Sequence, residues 1–135
     1  MVKSAPVENV LSIVESYASD IQYLSIIKDE YDPYEIHDML KRKNINYVGL
    51  ELVFVKDTSP LASDDFIALL HKDGKLAWGN SIVFDYKEVL ADDHTDDVAM
   101  AGDPDRGWGW FVRKGFDIIQ TDWTRELSLY LRCDK

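Results

Sequence analysis

Short apolar runs alternate with one-sided amphipathic stretches along the chain. Four runs rich in β-branched and aromatic residues predict buried strands near 21–27, 47–55, 76–82 and 116–120. Between these runs, apolar residues recur every three or four positions, which is the spacing of helices with one buried face. The first three runs begin roughly 30 residues apart, as strand–helix units do in a β/α barrel. The longer interval before the fourth run indicates an inserted loop.

Capping residues mark several helix boundaries between these strands. Asp32 followed by Pro33 predicts a helix start, because aspartate caps well and proline fits the first helical turn. The other predicted helices cover 6–18, start at Ser59 or Ser63, lie around 86–90, run from Asp103 to Gly115, and follow a cap at Thr121 or Asp122.

Alternating strands and helices require parallel pairing through right-handed crossovers. We therefore expect a single α/β domain over residues 1–135 with four β/α units. These units fit either a small open sheet or half of a TIM-type (β/α)8 barrel, and periodicity does not separate the two. A half barrel leaves two unpaired strand edges, which proteins normally cover. Its partner would be a second copy, giving a homodimer, or a missing N-terminal half barrel.

Charge and composition exclude several functional classes. The chain has 25 acidic and 15 basic residues and a net charge of −10, which argues against nucleic acid or anionic lipid as a partner. No apolar run approaches the roughly 20 residues of a membrane span, and residues 1–6 do not resemble a secretory signal. The compartment stays open. The single cysteine, Cys133, excludes an intramolecular disulfide and a cysteine-rich zinc site.

Glu51 is a carboxylate inside an otherwise apolar strand. A buried charge needs a partner or a metal ion, so Glu51 is a candidate metal ligand or general base. The alternative is a salt bridge to a structural lysine or arginine. Trp78 and Asn80 share one face of the third predicted strand near its carboxyl end, where β/α barrels place their active sites. A core aromatic residue followed by a polar cap explains them equally simply.

Lys28, Gln120 and Asp122 lie at the ends of predicted strands. Lys28 would meet a phosphate in a whole barrel, although a solvated lysine is the simpler interpretation. Asp122 is explained by a helix cap. The acidic run Asp92–Asp97 contains oxygen ligands suited to calcium but lacks EF-hand spacing, so we interpret it as a solvated face. His37 and His71 are expected at the surface.

Several segments resemble, in order, the C-terminal half of bacterial glycerophosphodiester phosphodiesterases. The most specific is the closing strand Gly115-Phe116-Asp117-Ile118-Ile119-Gln120-Thr121-Asp122, which follows an aromatic-glycine helix and precedes a helix ending in Tyr130-Leu131. Shorter matches are Gly49-Leu50-Glu51-Leu52, Pro60-Leu61-Ala62, Trp78-Gly79-Asn80, His94-Thr95-Asp96-Asp97 and Gly102-Asp103-Pro104-Asp105. The resemblance runs from about residue 20 to the C-terminus.

The resemblance implies that the four strands are the last four of an eight-stranded barrel. Family members act in lipid metabolism and hydrolyse glycerophosphodiesters to an alcohol and glycerol 3-phosphate with a divalent metal, commonly calcium or magnesium. A tryptophan and an asparagine in the positions of Trp78 and Asn80 line their substrate pocket. The candidate substrate-binding set is therefore Trp78, Asn80, Glu51, Lys28, Gln120 and Asp122.

The family's catalytic motifs do not occur in this sequence. Those enzymes need an N-terminal His-Arg, a Glu-Asn-Thr segment, a metal-binding Glu-x-Asp pair and a second catalytic histidine. His37-Asp38 superficially resembles the last of these, but it lies within a capped helix. No catalytic residue is assigned, the metal ligands are unknown, and the isolated chain is predicted to be inactive. The alternative function is a non-catalytic half-barrel module that self-associates or binds a ligand.

Overall fold

The computed structural model describes residues 1–17, 20–83 and 89–133. Its centre is a five-stranded sheet in which every neighbouring pair is parallel and the strand order follows the chain. The strands are β1 (Val2–Ser4), β2 (Gln22–Lys28), β3 (Asn46–Val53), β4 (Leu76–Asn80) and β5 (Ile118–Gln120). The four predicted strands are confirmed, with ends shifted by at most two residues.

The prediction of four strands missed β1. Three residues are too short to show an alternating pattern, so nothing in Val2–Ser4 distinguishes a strand from a loop. The strand is formed through its partner, because Val2, Lys3 and Ser4 pair in parallel with Tyr23, Leu24 and Ser25 of β2. The sheet thus has one more strand than the predicted half barrel.

Six α-helices are described between and after the strands. They are α1 (Glu8–Tyr17), α2 (Pro33–Arg42), α3 (Asp64–Lys72), α4 (Asp96–Met100), α5 (Trp108–Lys114) and α6 (Thr124–Cys133), with 3-10 turns at Pro60–Ala62 and Ala91–Asp93. The predicted Asp32 cap is confirmed, since its Oδ1 accepts from the backbone N of Tyr34 at 2.9 Å and of Glu35 at 3.1 Å.

Other helix predictions fare less well. The cap at Thr121 or Asp122 is wrong, because α6 begins only at Thr124. Thr121 instead accepts a bond from the backbone N of Trp123. The predicted end of the first helix at residue 18, and most of the short helix around 86–90, lie outside the described residues.

One face of the sheet packs against the helices. Its strand residues Tyr23, Ile27, Leu50, Leu52 and Ala77 belong to one buried cluster with helical residues Leu11, Leu40, Phe66 and Phe111. Gly79 also faces this side, since a Cβ there would lie 2.6 Å from the Phe111 ring. We call this side the helix-covered face.

The opposite face has a different composition. Alternation along the strands and the register of their pairing bring eight residues together there: Lys3, Leu24, Ile26, Glu51, Trp78, Asn80, Ile118 and Gln120. We call this set the polar face. A parallel sheet with sequential strand order and one helix-covered face is compatible with half of a β/α barrel. A doubly wound sheet would reverse its strand order.

The expectation that His37 is a surface histidine is wrong, because its side chain is fully buried. Its Nδ1 lies 2.9 Å from the Tyr47 hydroxyl and its Nε2 lies 2.9 Å from Asp73 Oδ2. Lys41 also donates to Asp73. These hydrogen bonds, from Lys41 first and then His37, lower the pKa of Asp73 to about 2. Burial, with a smaller contribution from Asp73, raises the pKa of Tyr47. The network ties α2 and the end of α3 to the amino-terminal edge of the sheet, which is a stabilising role.

Candidate functional site

Four of the residues singled out from the sequence lie next to one another on the polar face. Glu51 of β3 pairs in register with Trp78 of β4, and Asn80 of β4 pairs with Gln120 of β5. Lys28 ends β2 on the same face by alternation and is exposed. All of these except Trp78 and Glu51 lie at the carboxyl ends of their strands.

Asp122 stands apart from this group. It lies two residues beyond the end of β5 and its side chain is exposed. Its backbone N donates to a buried carboxylate of α4 rather than facing the other candidates. The structure therefore brings together five of the six candidate residues.

Glu51 is buried, with 6% of its surface exposed, and has two partners. Lys3 Nζ lies 2.7 Å from Glu51 Oε2, and Asn80 Nδ2 donates to Glu51 Oε1 at 3.1 Å. The contact with Lys3 is a close ion pair that offsets the charge of the buried carboxylate. The alternative interpretation of Glu51, a salt bridge to a structural lysine, therefore describes this geometry. The lysine is Lys3 of β1, the strand that the sequence pattern did not predict.

Lys3 also contacts an aromatic ring. Its Nζ lies 4.3 Å from the centre of the Trp78 ring, within the range of a cation–π interaction. The ammonium group thus sits between a carboxylate and an indole, both supplied by neighbouring strands. Its side chain keeps 31% of its surface exposed.

Several buried polar atoms of this face have no hydrogen-bond partner among the described residues. They are Trp78 Nε1, Asn80 Oδ1 and Gln120 Oε1, whereas Glu51 Oε2 accepts no hydrogen bond but is paired with the Lys3 ammonium group. Because Asn80 Nδ2 donates to a carboxylate, the orientation of its amide is fixed and Oδ1 is a true acceptor. An unsatisfied buried polar group costs about 1–3 kcal/mol, so a cluster of them indicates a ligand or ordered water.

A second buried carboxylate holds the carboxyl ends of β4 and β5 together. Asp96 is 2% exposed and accepts from Ser81 Oγ, Trp108 Nε1 and Thr121 Oγ1 at 2.7 Å each, and from the Asp122 backbone N at 2.9 Å. The interpretation of the acidic run as a solvated face is therefore wrong for Asp96. It positions the residues that directly follow Asn80 and Gln120.

Two other acids of that run make ion pairs near the surface. Asp92 pairs with Lys56 at 2.8 Å, and this hydrogen bond lowers the pKa of Asp92. Asp93 pairs with Arg106 at 3.2 Å. Across the described ranges, no three His, Cys, Asp or Glu side chains are close enough to hold a metal ion. Since Glu51 is already paired with Lys3, the donor set of the polar face does not fit the divalent metal of the phosphodiesterases that the sequence resembles.

Sequence reasoning missed two residues of this region. Lys3 precedes the segment that carries the family resemblance, and its strand is too short for a periodic signal. Asp96 sits among four other acidic or histidine residues of the same run, and only the tertiary fold buries it.

Comparisons with known proteins add one finding. No curated protein matches the chain, and none of the described helices has the length and apolar character to cross a bilayer. A family described as a domain of unknown function matches residues 23–131, which include Glu51, Trp78, Asn80 and Gln120 but not Lys3. The chain therefore belongs to the family DUF4996, a domain of unknown function.

Proposed function

We propose that the chain is one half of a β/α barrel of the glycerophosphodiester phosphodiesterase kind and forms part of its substrate-binding wall. The supporting observation is the convergence of Glu51, Trp78, Asn80 and Gln120 on one sheet face with unpartnered polar atoms. The sequential parallel order of the strands supports the barrel part of the proposal.

The chemistry of the face suits binding and orientation. Lys28, at the carboxyl end of β2, supplies a positive charge for a phosphodiester, while Trp78 Nε1 supplies a hydrogen-bond donor. The acceptors Asn80 Oδ1 and Gln120 Oε1 suit the hydroxyl groups of a glycerol moiety. The proposed ligand is a small glycerophosphodiester.

Bond cleavage requires groups that this face does not provide in the described part of the chain. The metal ligands and catalytic histidines of the family would have to come from a complementary half barrel. We therefore propose that this chain alone does not hydrolyse its ligand. Incubating it with calcium or magnesium and glycerophosphocholine should yield no glycerol 3-phosphate, and clear turnover by the pure chain would overturn this part of the proposal.

Binding is tested through the four tryptophan indole N–H signals in a ¹H–¹⁵N NMR spectrum. The Trp78 signal is assigned as the one that disappears in Trp78→Phe. Glycerol 3-phosphate should shift this signal with a Kd of about 1 mM, a weak affinity expected of a chain that supplies only half of the binding site. The Trp108 indole, which donates to Asp96, is an internal reference that should not move. Asn80→Leu should abolish the shift, whereas Asn46→Ala, at the exposed start of β3, should preserve it.

A second candidate function is self-association, which the sheet edges favour. In the described sheet, β1 and β5 have a neighbour on one side only. Beside β5, an apolar groove is lined by Val112, Ile119, Leu127 and Leu131, of which Val112 and Leu131 are each 39% exposed. Pairing of the edges of two copies would cover them. Sedimentation at micromolar concentration tests this: a stable monomer would eliminate the homodimer.

A further inference from the structure

We propose that the ammonium group of Lys3 occupies a subsite for a small organic ammonium ion, so that strand β1 acts as a built-in competitor of the ligand. The proposal rests on the polar face being a binding surface, as argued above. It adds the charge and chemical class of one ligand group, and the place where that group binds.

The surroundings of Lys3 Nζ are those of an ammonium-binding site. A carboxylate oxygen of Glu51 lies 2.7 Å away, and the Trp78 ring centre lies 4.3 Å away. A carboxylate beside the face of an indole is the combination that recognises alkylammonium ligands. Glu51 is held in place from its other oxygen by Asn80, so the site does not depend on Lys3 for its shape.

The remaining unpartnered atoms also favour a cation. Asn80 Oδ1 and Gln120 Oε1 are acceptors, and only Trp78 Nε1 is a donor. An ammonium ion can donate hydrogen bonds to such acceptors, and also to Glu51 once Lys3 is displaced. The net charge of −10 also favours the approach of a cation.

Lys3 lies on a short edge strand of the sheet, a kind of element that opens readily. Strand β1 has three residues and pairs only with β2 in the described sheet. Short edge strands open locally at a small fraction of the global stability. The family match begins at residue 23, so Glu51, Trp78 and Asn80 lie inside it and Lys3 lies outside.

The test uses methylammonium chloride, which contains no phosphate, and follows the Trp78 indole signal. Lys3→Met keeps the aliphatic stem and removes the competing charge. Binding to this variant should be at least about tenfold tighter than to the wild-type chain, because a tethered group competes at millimolar effective concentration. Adding Glu51→Gln to Lys3→Met should abolish binding. Sodium chloride at equal ionic strength controls for screening.

Lys72→Met is the matched control, because it removes the same charge from an exposed position of α3, outside the polar face. It should leave methylammonium affinity at the wild-type level. Equal tightening in both lysine variants, or no binding to a folded Lys3→Met chain, would overturn the proposal and leave the ion pair with a purely structural role. An unshifted Trp108 indole signal reports that the variant is folded.

The wild-type chain supplies a measurement that needs no variant. Saturating methylammonium should displace Lys3 and speed hydrogen exchange of the amides that join β1 to β2. Unchanged exchange under conditions that shift the Trp78 signal would contradict displacement. Failure of glycerol 3-phosphate to bind would count against the proposed function alone, since the methylammonium titration contains no phosphate.

Discussion

The Asp96 carboxylate accepts hydrogen bonds from four donors near the carboxyl ends of β4 and β5, and replacing Asp96 by alanine removes this acceptor. Hydrogen bonds to a charged group each contribute about 1.5–3 kcal/mol, but the four are not additive. In the variant, Ser81 Oγ keeps a second acceptor, the Gln120 carbonyl at 2.8 Å. Thr121 is partly exposed and Asp122 is exposed, so their donors can bind water instead. The buried Trp108 N–H has no such replacement.

We therefore expect Asp96→Ala to lower the free energy of unfolding by about 3 kcal/mol. With a urea m-value of about 1.5 kcal/mol/M, the unfolding midpoint should decrease by about 2 M. Circular dichroism at increasing urea concentration measures it. Asp96→Asn should fall in between, because its Oδ1 still accepts the three 2.7 Å bonds while its amide faces the Asp122 N–H.

Asp97→Ala is the control, since Asp97 is an exposed acid in the same first turn of α4. It should cost less than about 1 kcal/mol, the scale of a carboxylate near a helix N-terminus. Equal midpoints for Asp96→Ala and Asp97→Ala would refute the reasoning, because burial and four donors would then have no measurable effect.

Two further predictions concern stability away from the polar face. The pKa of Asp73 is lowered to about 2 by hydrogen bonds from Lys41 and His37, so the Asp73 carboxylate stabilises the fold fully above its ordinary pKa near 3.8, and this stabilisation is lost as pH falls from about 4 to 2. Lys41→Met should raise the pKa of Asp73 in an NMR titration of the carboxyl carbon. An unchanged pKa would contradict the assigned cause. Gly79→Ala should destabilise the chain by about 1–3 kcal/mol in urea unfolding, because its Cβ would lie 2.6 Å from the Phe111 ring, whereas Gly102→Ala, with no atom within 4 Å of its Cβ, reports only the backbone cost of a positive φ.

The long strands were predictable because their signal is local. The runs that became β2 and β3 have seven and eight residues, which is enough for apolar character and strand length to agree. Glu51 was conspicuous for the same reason, as a charge inside such a run. Alternation then placed Trp78 and Asn80 on one face before any contact was known.

The features that sequence reasoning missed depend on residues distant along the chain. Lys3 acquires its role from Glu51 and Trp78, and no periodicity links a three-residue strand to either. His37 was expected at the surface, yet Tyr47 and Asp73 enclose it from a strand and from the end of another helix. Asp96 is buried because Trp108 of α5 and the residues that follow β4 and β5 surround it, which the composition of an acidic run does not reveal.

The polar face should bind a ligand through its polar groups that lack hydrogen-bond partners. Titrating the wild-type chain and Asn80→Leu with glycerol 3-phosphate, while recording the indole N–H signals of Trp78 and Trp108, examines this in one experiment. We predict a saturable shift of Trp78 alone in the wild-type chain and no shift in the variant. A Trp78 signal that stays fixed at saturating ligand, or that moves equally in both proteins, would contradict the account.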